Sequence, residues 1–223
     1  MNNTTPVVTI DGPSGVGKGT LAQYLTKITQ FNLLDSGAIY RALAFGAVKN
    51  KLALDDVPAL VALAKSLPVE FINTTIVYEG EDVTSVVRTE EIAGVASTVA
   101  VIPEVRSALM LRQKIFATSP GLIADGRDMG TVVFPNADIK LYLTASAQIR
   151  AERRVNQLKK QGFDANIVQI TRDIEERDDR DLNRKTAPLK PAEDAIIIDT
   201  SNLNIDEVCQ KAGSLLSKKG LIA

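Results

Sequence analysis

Val7-Val8-Thr9-Ile10 runs through Asp11 into Gly12-Pro13-Ser14-Gly15-Val16-Gly17-Lys18-Gly19-Thr20, and Leu21-Ala22-Gln23-Tyr24-Leu25 follows directly. In order this reads as a strand, a glycine loop and the start of a helix. Phosphate needs that order. Glycines without Cβ let the backbone curl around an anion and turn several N–H groups inward, over the partial positive charge of a helix N-terminus. Lys18 would reach the β/γ-phosphates, and Thr20 would offer its hydroxyl to a magnesium ion. The spacing matches G-x-x-x-x-G-K, except that Gly19 stands where Ser or Thr is usual and the hydroxyl comes one residue later. A bare G-x-G would read as a turn at a strand end. Four glycines, a lysine and a threonine in register after an apolar run instead make Gly12, Pro13, Ser14, Gly15, Val16, Gly17, Lys18, Gly19 and Thr20 the expected nucleotide-phosphate cradle. The pattern leaves open whether that nucleotide is a switch, a fuel or a phosphoryl donor.

The 223 residues suffice for one α/β domain with insertions, and 45% apolar with 24% charged residues is ordinary for a folded, soluble chain. A formal net charge of −1 gives no overall field for nucleic acid or an anionic membrane, so phosphate must be handled locally. No apolar stretch approaches the roughly 18–20 residues of a membrane span, and Met1-Asn2-Asn3-Thr4-Thr5 lacks the basic start of a signal peptide. A cytoplasmic monomer is expected, with no nucleic-acid or membrane partner. The chain has no histidine, which removes Ser-His-Asp and Cys-His chemistry, histidine metal sites and histidine acid/base catalysis. Cys209 is the one cysteine and reads as a core residue of a C-terminal helix. There is no tryptophan and only 4% of residues are aromatic, too few for a single-strand stacking platform.

Short β-rich runs alternate with helical patterns, the signature of a parallel sheet flanked by helices. Strands are expected at 7–10, 33–34, 122–124, 139–143 and 195–198. Helices are expected at 18–28, 38–50, 57–66, 103–117, 147–161, 167–180 and 205–216, the last capped by Asn202 or Asn204. Two runs break the alternation, 69–72 and 76–83, with turn residues at Asn73-Thr74 and Gly80. They predict a small antiparallel unit inserted between the second and third core strands, over the strands' carboxyl ends where open α/β sheets bind ligands.

Three further segments carry chemistry. In Leu34-Asp35-Ser36-Gly37-Ala38-Ile39-Tyr40-Arg41 a strand ends, Ser36 can cap the next helix, and Arg41 lies a turn into it. A second phosphate facing the first needs such a cation. Leu122-Ile123-Ala124-Asp125-Gly126-Arg127-Asp128-Met129-Gly130-Thr131 is an apolar strand ending in Asp, like a Walker B strand, with Arg127 and Asp128 projecting from its tip. In Glu175-Glu176-Arg177-Asp178-Asp179-Arg180-Asp181-Leu182-Asn183-Arg184 a continuous helix would put Arg177, Asp181 and Arg184 on one face. Alone this would be a solvated charge run. Beside a phosphate loop it reads as a mobile helical hairpin delivering arginines to a phosphoryl group in flight.

Gly12–Thr20, Leu33 to Arg41, Asp125-Gly126-Arg127-Asp128-Met129-Gly130-Thr131-Val132-Val133-Phe134-Pro135, and Glu176 to Arg184 with Ala187-Pro188-Leu189 together resemble the bacterial cytidylate kinases, nucleoside-monophosphate kinases of the P-loop class. The likeness spans nearly the whole chain, and the insert between the second and third strands is that family's distinguishing feature. The resemblance implies a P-loop α/β core at 1–35, 104–150 and 186–223, a monophosphate-binding region with the insert at 36–103, and a lid at 151–185. It implies ATP as donor with magnesium at Thr20, and CMP or dCMP as acceptor. By position, Ser36, Arg41 and Arg127 would hold the acceptor phosphate, while Ser97, Arg106 and Asp128 would read the cytosine. Arg177 and Asp181 would meet the sugar. Arg184 would bridge the transferring phosphoryl, and Arg154 would reach the donor from the lid. Lys18, Arg127, Arg177 and Arg184 form the expected catalytic set.

The absence of histidine suits that chemistry. The second ionisation of a phosphate monoester lies near ~6, so the attacking oxygen is already anionic at neutral pH and needs no strong base. Two alternatives remain: a P-loop kinase of another small metabolite such as a sugar acid or shikimate, which would not use a base-reading set, and a GTPase-type switch. The latter reads guanine through N-K-x-D, and the only Asn-Lys here, Asn50-Lys51, runs into Leu52-Ala53.

Overall fold

The computed structural model describes residues 5–72, 74–160, 162 and 164–222. The chain divides into two compact units, one made of 1–34 with 116–223 and the other of 35–115.

In the first unit the glycine loop links β1 (Val7–Asp11) to α1 (Lys18–Thr29), and β2 (Asn32–Asp35) closes the opening β-α-β run. All five β1 residues are buried, as a central parallel strand covered on both faces requires. The sheet runs β2, β6 (Leu122–Asp125), β1, β7 (Ile139–Thr144), β8 (Ile196–Asp199), with β1 parallel to β6 and β7, and β7 parallel to β8. This 2-3-1-4-5 order, counting sheet strands along the chain, is the P-loop architecture the sequence predicted. Helices α7 (Ala147–Lys160), α8 (Ile167–Asn183) and α9 (Ile205–Lys218) follow β7 and β8. The core joins Val8, Ile10, Leu141 and Leu143 of the sheet to Leu21 and Leu25 of α1 and to Cys209, Ala212 and Leu216 of α9. Cys209 is thus the core residue expected. Asn204, rather than Asn202, caps α9 through a capping box with Glu207.

In the second unit α2 (Ser36–Lys49) and α3 (Val57–Ser66) precede a three-stranded antiparallel sheet of β3 (Val69–Ile72), β4 (Thr75–Tyr78) and β5 (Glu81–Asp82). The second β-rich run is split at Glu79-Gly80, both with positive φ, a two-residue hairpin turn. Asn73, the expected turn residue before it, lies outside the described residues. Then come α4 (Thr84–Val87), α5 (Glu90–Val99) and α6 (Pro103–Lys114).

Several boundaries differ from expectation for local reasons. Asp35, not Ser36, caps α2, its carboxylate accepting the Ala38 N–H at 2.9 Å. Helix α6 stops at Lys114 rather than 117, and the Asn32 side-chain amide gathers the Thr118, Ser119 and Gly121 carbonyls beyond it. Helix α8 reaches Asn183, three residues past expectation. Gln161, the predicted end of α7, lies outside the described residues. Helix α5 was not expected, though its signals are local: Thr89 caps it, Glu90 and Glu91 fill the first turn, and Ile92, Ala93, Ala96 and Val99 form its buried stripe. Among the described residues no single helix is long and apolar enough to cross a membrane; α5 and α6 would pass only as a pair, bent by 105°.

Candidate active site

The loop between β1 and α1 is built by close approach. A Cβ on Gly12, at φ +144°, would lie 2.2 Å from the Leu143 carbonyl oxygen, so only glycine lets the chain leave β1 against β7. Gly15 and Gly17 hold φ of +79° and +97°, and Gly17 is the N-cap of α1. No side chain caps that helix and no acidic residue stands in its first turn, so no side chain competes for its leading N–H groups. The Thr200 hydroxyl backs the loop by donating to the Val16 carbonyl at 3.4 Å.

Lys18 is buried and donates its ammonium to the Pro13 carbonyl at 2.9 Å. Burial pushes its amine down to about 8, with Arg127 and Arg177 acting the same way and Asp125 and Asp11 opposing. Asp11, also buried, accepts the Met129 and Gly130 N–H groups at 2.8 and 2.7 Å. Burial pushes its carboxyl up to about 6 against the pull of those two N–H groups, and the nearby Asp128 adds to the rise. The fork pins the turn that starts with Met129, a π-helical turn over Met129–Val133, to the end of β1.

Arg127, half-buried after β6, donates Nε to Asp181 Oδ2 at 2.5 Å and reaches the Gly12 carbonyl at 3.4 Å. Burial works against both charges of this pair, yet Arg127, Arg177 and Arg184 hold the Asp181 carboxyl below its ordinary range. Asp181 likewise raises Arg127 against its burial. Arg184 approaches Asp128 Oδ1 at 3.6 Å and gives its Nε–H to the Ala187 carbonyl. Lys18, Arg127, Asp128, Arg177, Asp181 and Arg184 are therefore one electrostatic cluster on the first unit. The shared helical face is corrected in one respect. Arg184 has φ −63° and ψ 137°, so it has left α8, and only Arg177 and Asp181 are on the helix.

Arg154 donates to the Gln157 side-chain oxygen, one turn along its own helix, at 2.9 Å. Thr20 is exposed at the start of α1, and a Cβ on Gly19 would sit 3.7 Å from Asp125 Oδ2. A threonine hydroxyl, next in the chain to a glycine that a carboxylate approaches, suits magnesium that would arrive with phosphates and keep several waters. Among the described residues no group of three His, Cys, Asp or Glu forms a cage that would hold a metal alone.

On the second unit, α2 carries Ser36 and Arg41, α5 carries Ser97, and α6 carries Arg106. Helices α2 and α5 pack together. The Ser36 hydroxyl donates to Gln113 Oε1 at 2.7 Å, Arg41 donates to the Val87 carbonyl at 3.1 Å, and Arg106 donates to the Ala100 carbonyl at 3.2 Å. The Arg106 guanidinium also lies over the Tyr40 ring, 5.7 Å from its centroid. Ser97 and Arg106 are both buried, unusual for an arginine without a recognition or structural task.

The sequence reading missed Asp11, Gln113, Arg150, Asp178 and Thr200. Asp11 had a local signal, a carboxylate at the end of an apolar strand beside the loop. Arg150 sits in the charged run Arg150-Ala151-Glu152-Arg153-Arg154, which resembles any solvated helix face.

The family model for cytidylate kinase matches residues 8–218. The chain belongs to the cytidylate kinase family. A cytidylate kinase of Shewanella sp. (strain MR-4) is 54% identical over 98% of both chains, and one of Shewanella baltica (strain OS155) is 55% identical over the same share. A gluconokinase structure from Sinorhizobium meliloti aligns over 96% of this chain and 93% of its own, at 11% identity and a TM-score of 0.49.

Proposed function

We propose that this member of the family transfers the γ-phosphoryl group of ATP to CMP or dCMP, giving ADP and CDP or dCDP. The observation that carries the reading is family membership over nearly the whole chain, on a phosphate loop that keeps a buried lysine beside an arginine and carboxylate cluster.

Lys18 follows charge on the β/γ-phosphates as the bond to the leaving oxygen lengthens, and the N-terminus of α1 supports the same anion. The Thr20 hydroxyl would hold magnesium arriving with the nucleotide phosphates, which would add charge neutralisation there. Ser36, Arg41 and Arg127 hold the acceptor phosphate. Its attacking oxygen is already ionised at neutral pH, so these residues orient it and no base removes a proton from it. Ser97, Arg106 and Asp128 read cytosine: a carboxylate accepts from the exocyclic amine, and an arginine donates to the ring acceptors. Arg177 and Asp181 meet the sugar, and Arg184 stabilises the phosphoryl in flight. Residues 151–185 act as the lid, with Arg154 reaching the donor when it closes, and 36–103 form the acceptor region. Closure excludes water, which would otherwise take the phosphoryl group. The protein works as a cytoplasmic monomer, which light scattering at working concentration checks.

An assay coupling ADP release to each nucleoside monophosphate in turn tests the reading. CMP and dCMP should be the best acceptors. Indifference to both, with turnover on a sugar acid or on no acceptor at all, would overturn it.

A further inference from the structure

Arg150 is an arginine with 3% of its surface exposed, and its contacts converge on the phosphate loop. Its Nη1 donates to the Ser14 carbonyl at 3.1 Å, and its Nε donates to the Ala145 carbonyl at 3.0 Å. Its stem lies so close beneath the loop that a Cβ on Gly15 would come within 3.2 Å of the Arg150 Cβ. The remaining edge of the guanidinium forks onto the Asp178 carboxylate of α8, with Nη1 at 3.1 Å from Oδ1 and Nη2 bonded to Oδ2. One side chain thus ties the loop, the start of α7 and the middle of α8.

In a trans peptide the C=O and N–H point in opposite directions within one plane. A cation holding the Ser14 oxygen therefore fixes the aim of the Gly15 N–H, and by polarising the peptide makes that N–H a stronger donor to an anion in the loop. Asp178 keeps the buried guanidinium compensated and sets its plane through a two-point fork. We propose that Arg150 is a positioning residue for the donor phosphates, acting through the Ser14 peptide, and that its fork onto Asp178 makes the loop's grip depend on helix α8. Movement of α8 thereby alters donor binding without a direct contact between α8 and the nucleotide. This rests on reading the loop as the donor cradle.

Binding of ATP and of tripolyphosphate, which carries phosphates but no base, is measured by calorimetry without acceptor, on the full chain and on Arg150→Gln, Asp178→Asn and the double variant. Arg150→Gln should weaken both ligands about tenfold, the scale of one lost charge-assisted hydrogen bond. Asp178→Asn should weaken both by a smaller factor, and the double variant should bind no worse than Arg150→Gln alone. A loss for ATP but not for tripolyphosphate would make Arg150 a contact to the nucleoside, and additive losses would break the link to α8. Unchanged affinities would overturn the proposal outright. Should Arg150→Gln fail to fold, Arg150→Lys keeps the stem on Gly15 with one ammonium in place of the planar fork, and the same comparison is read from it. Wild-type chain that binds both ligands yet phosphorylates no monophosphate would defeat the proposed function while leaving this inference standing; failure to bind either ligand would defeat both.

Discussion

At the scale of single residues, charge is held where solvent would not choose to put it. Burial and two arginines disfavour the Lys18 ammonium and push it down to about 8. Its folded value lies below the unfolded one, so the charged amine costs the fold stability below pH 8, and that cost is relieved as pH rises towards the unfolded value. Donor binding has the opposite dependence, since the ammonium is what meets the phosphates. ATP affinity of the acceptor-free protein should fall as pH rises through about 8, and a Lys18→Met variant should show no such step; parallel profiles would remove Lys18 from the phosphates. In turnover, Lys18→Met should cost at least roughly 10²–10³-fold with the circular dichroism unchanged. A folded variant keeping more than about a tenth of wild-type rate, a change of only ~1.4 kcal/mol, would contradict the role. Asp128 governs base choice in the proposed reading. Uracil would set a carbonyl against its carboxylate, a mismatch of roughly 1–3 kcal/mol when buried. Asp128→Ala should therefore slow CMP much more than UMP, and steady-state kinetics with both acceptors decides it: an undiminished preference returns Asp128 to a strand-end turn residue paired with Arg184.

At the scale of elements, two attachments shape the site. Asp11 bonds two successive N–H groups of the turn after β6, so the strand that feeds the phosphate loop also fixes the segment bearing Arg127 and Asp128. Its folded value of about 6 lies above the ordinary 3.8. The protonated form is thus favoured by folding: this contribution to stability is fully present below pH 3.8 and is lost as pH rises through about 6. A rise of that size corresponds to about 3 kcal/mol. Urea unfolding of wild type and Asp11→Asn across pH 4–7 should show the wild type losing stability relative to the variant by up to that amount, and parallel curves would mean Asp11 is ionised as easily folded as unfolded. The second attachment is the end of α8, where Arg184 leaves the helix and turns towards Asp128 while Asp181 stays on it and holds Arg127. Arg184→Ala should lower turnover far more than it raises the Michaelis constant for CMP, because this arginine engages the phosphoryl chiefly in the transition state. A rise in the Michaelis constant alone would make it a ground-state binder.

At the scale of the whole molecule, ligand and fold stability are linked. ATP at a hundred times its dissociation constant should stabilise the native state by about 2.7 kcal/mol, a rise of roughly 5–11 °C in Tm for a chain of this size. Differential scanning fluorimetry with ATP, and with adenosine at equal concentration, reads it; equal shifts from both would mean that the phosphates contribute nothing. Short-range physics is legible in the chain before it folds. The glycine pattern after an apolar strand specifies the phosphate loop, the alternation of β-rich runs and helical periods specifies the parallel sheet, and the two runs after 69 specify the antiparallel insert. Helix α5 was legible by the same rules, through its cap, its acidic first turn and its apolar stripe. The tertiary structure alone decided the partners of buried polar groups. Asp11 finds its N–H donors 118 and 119 residues away, Ser36 finds Gln113 77 residues away, Arg150 meets Ser14 136 residues away, and Thr200 meets Val16 184 residues away. No local pattern encodes such pairs, because a charged or polar residue has the same propensity on a solvated face as in a buried cluster. Only the packing that removes water obliges each one to find its complement.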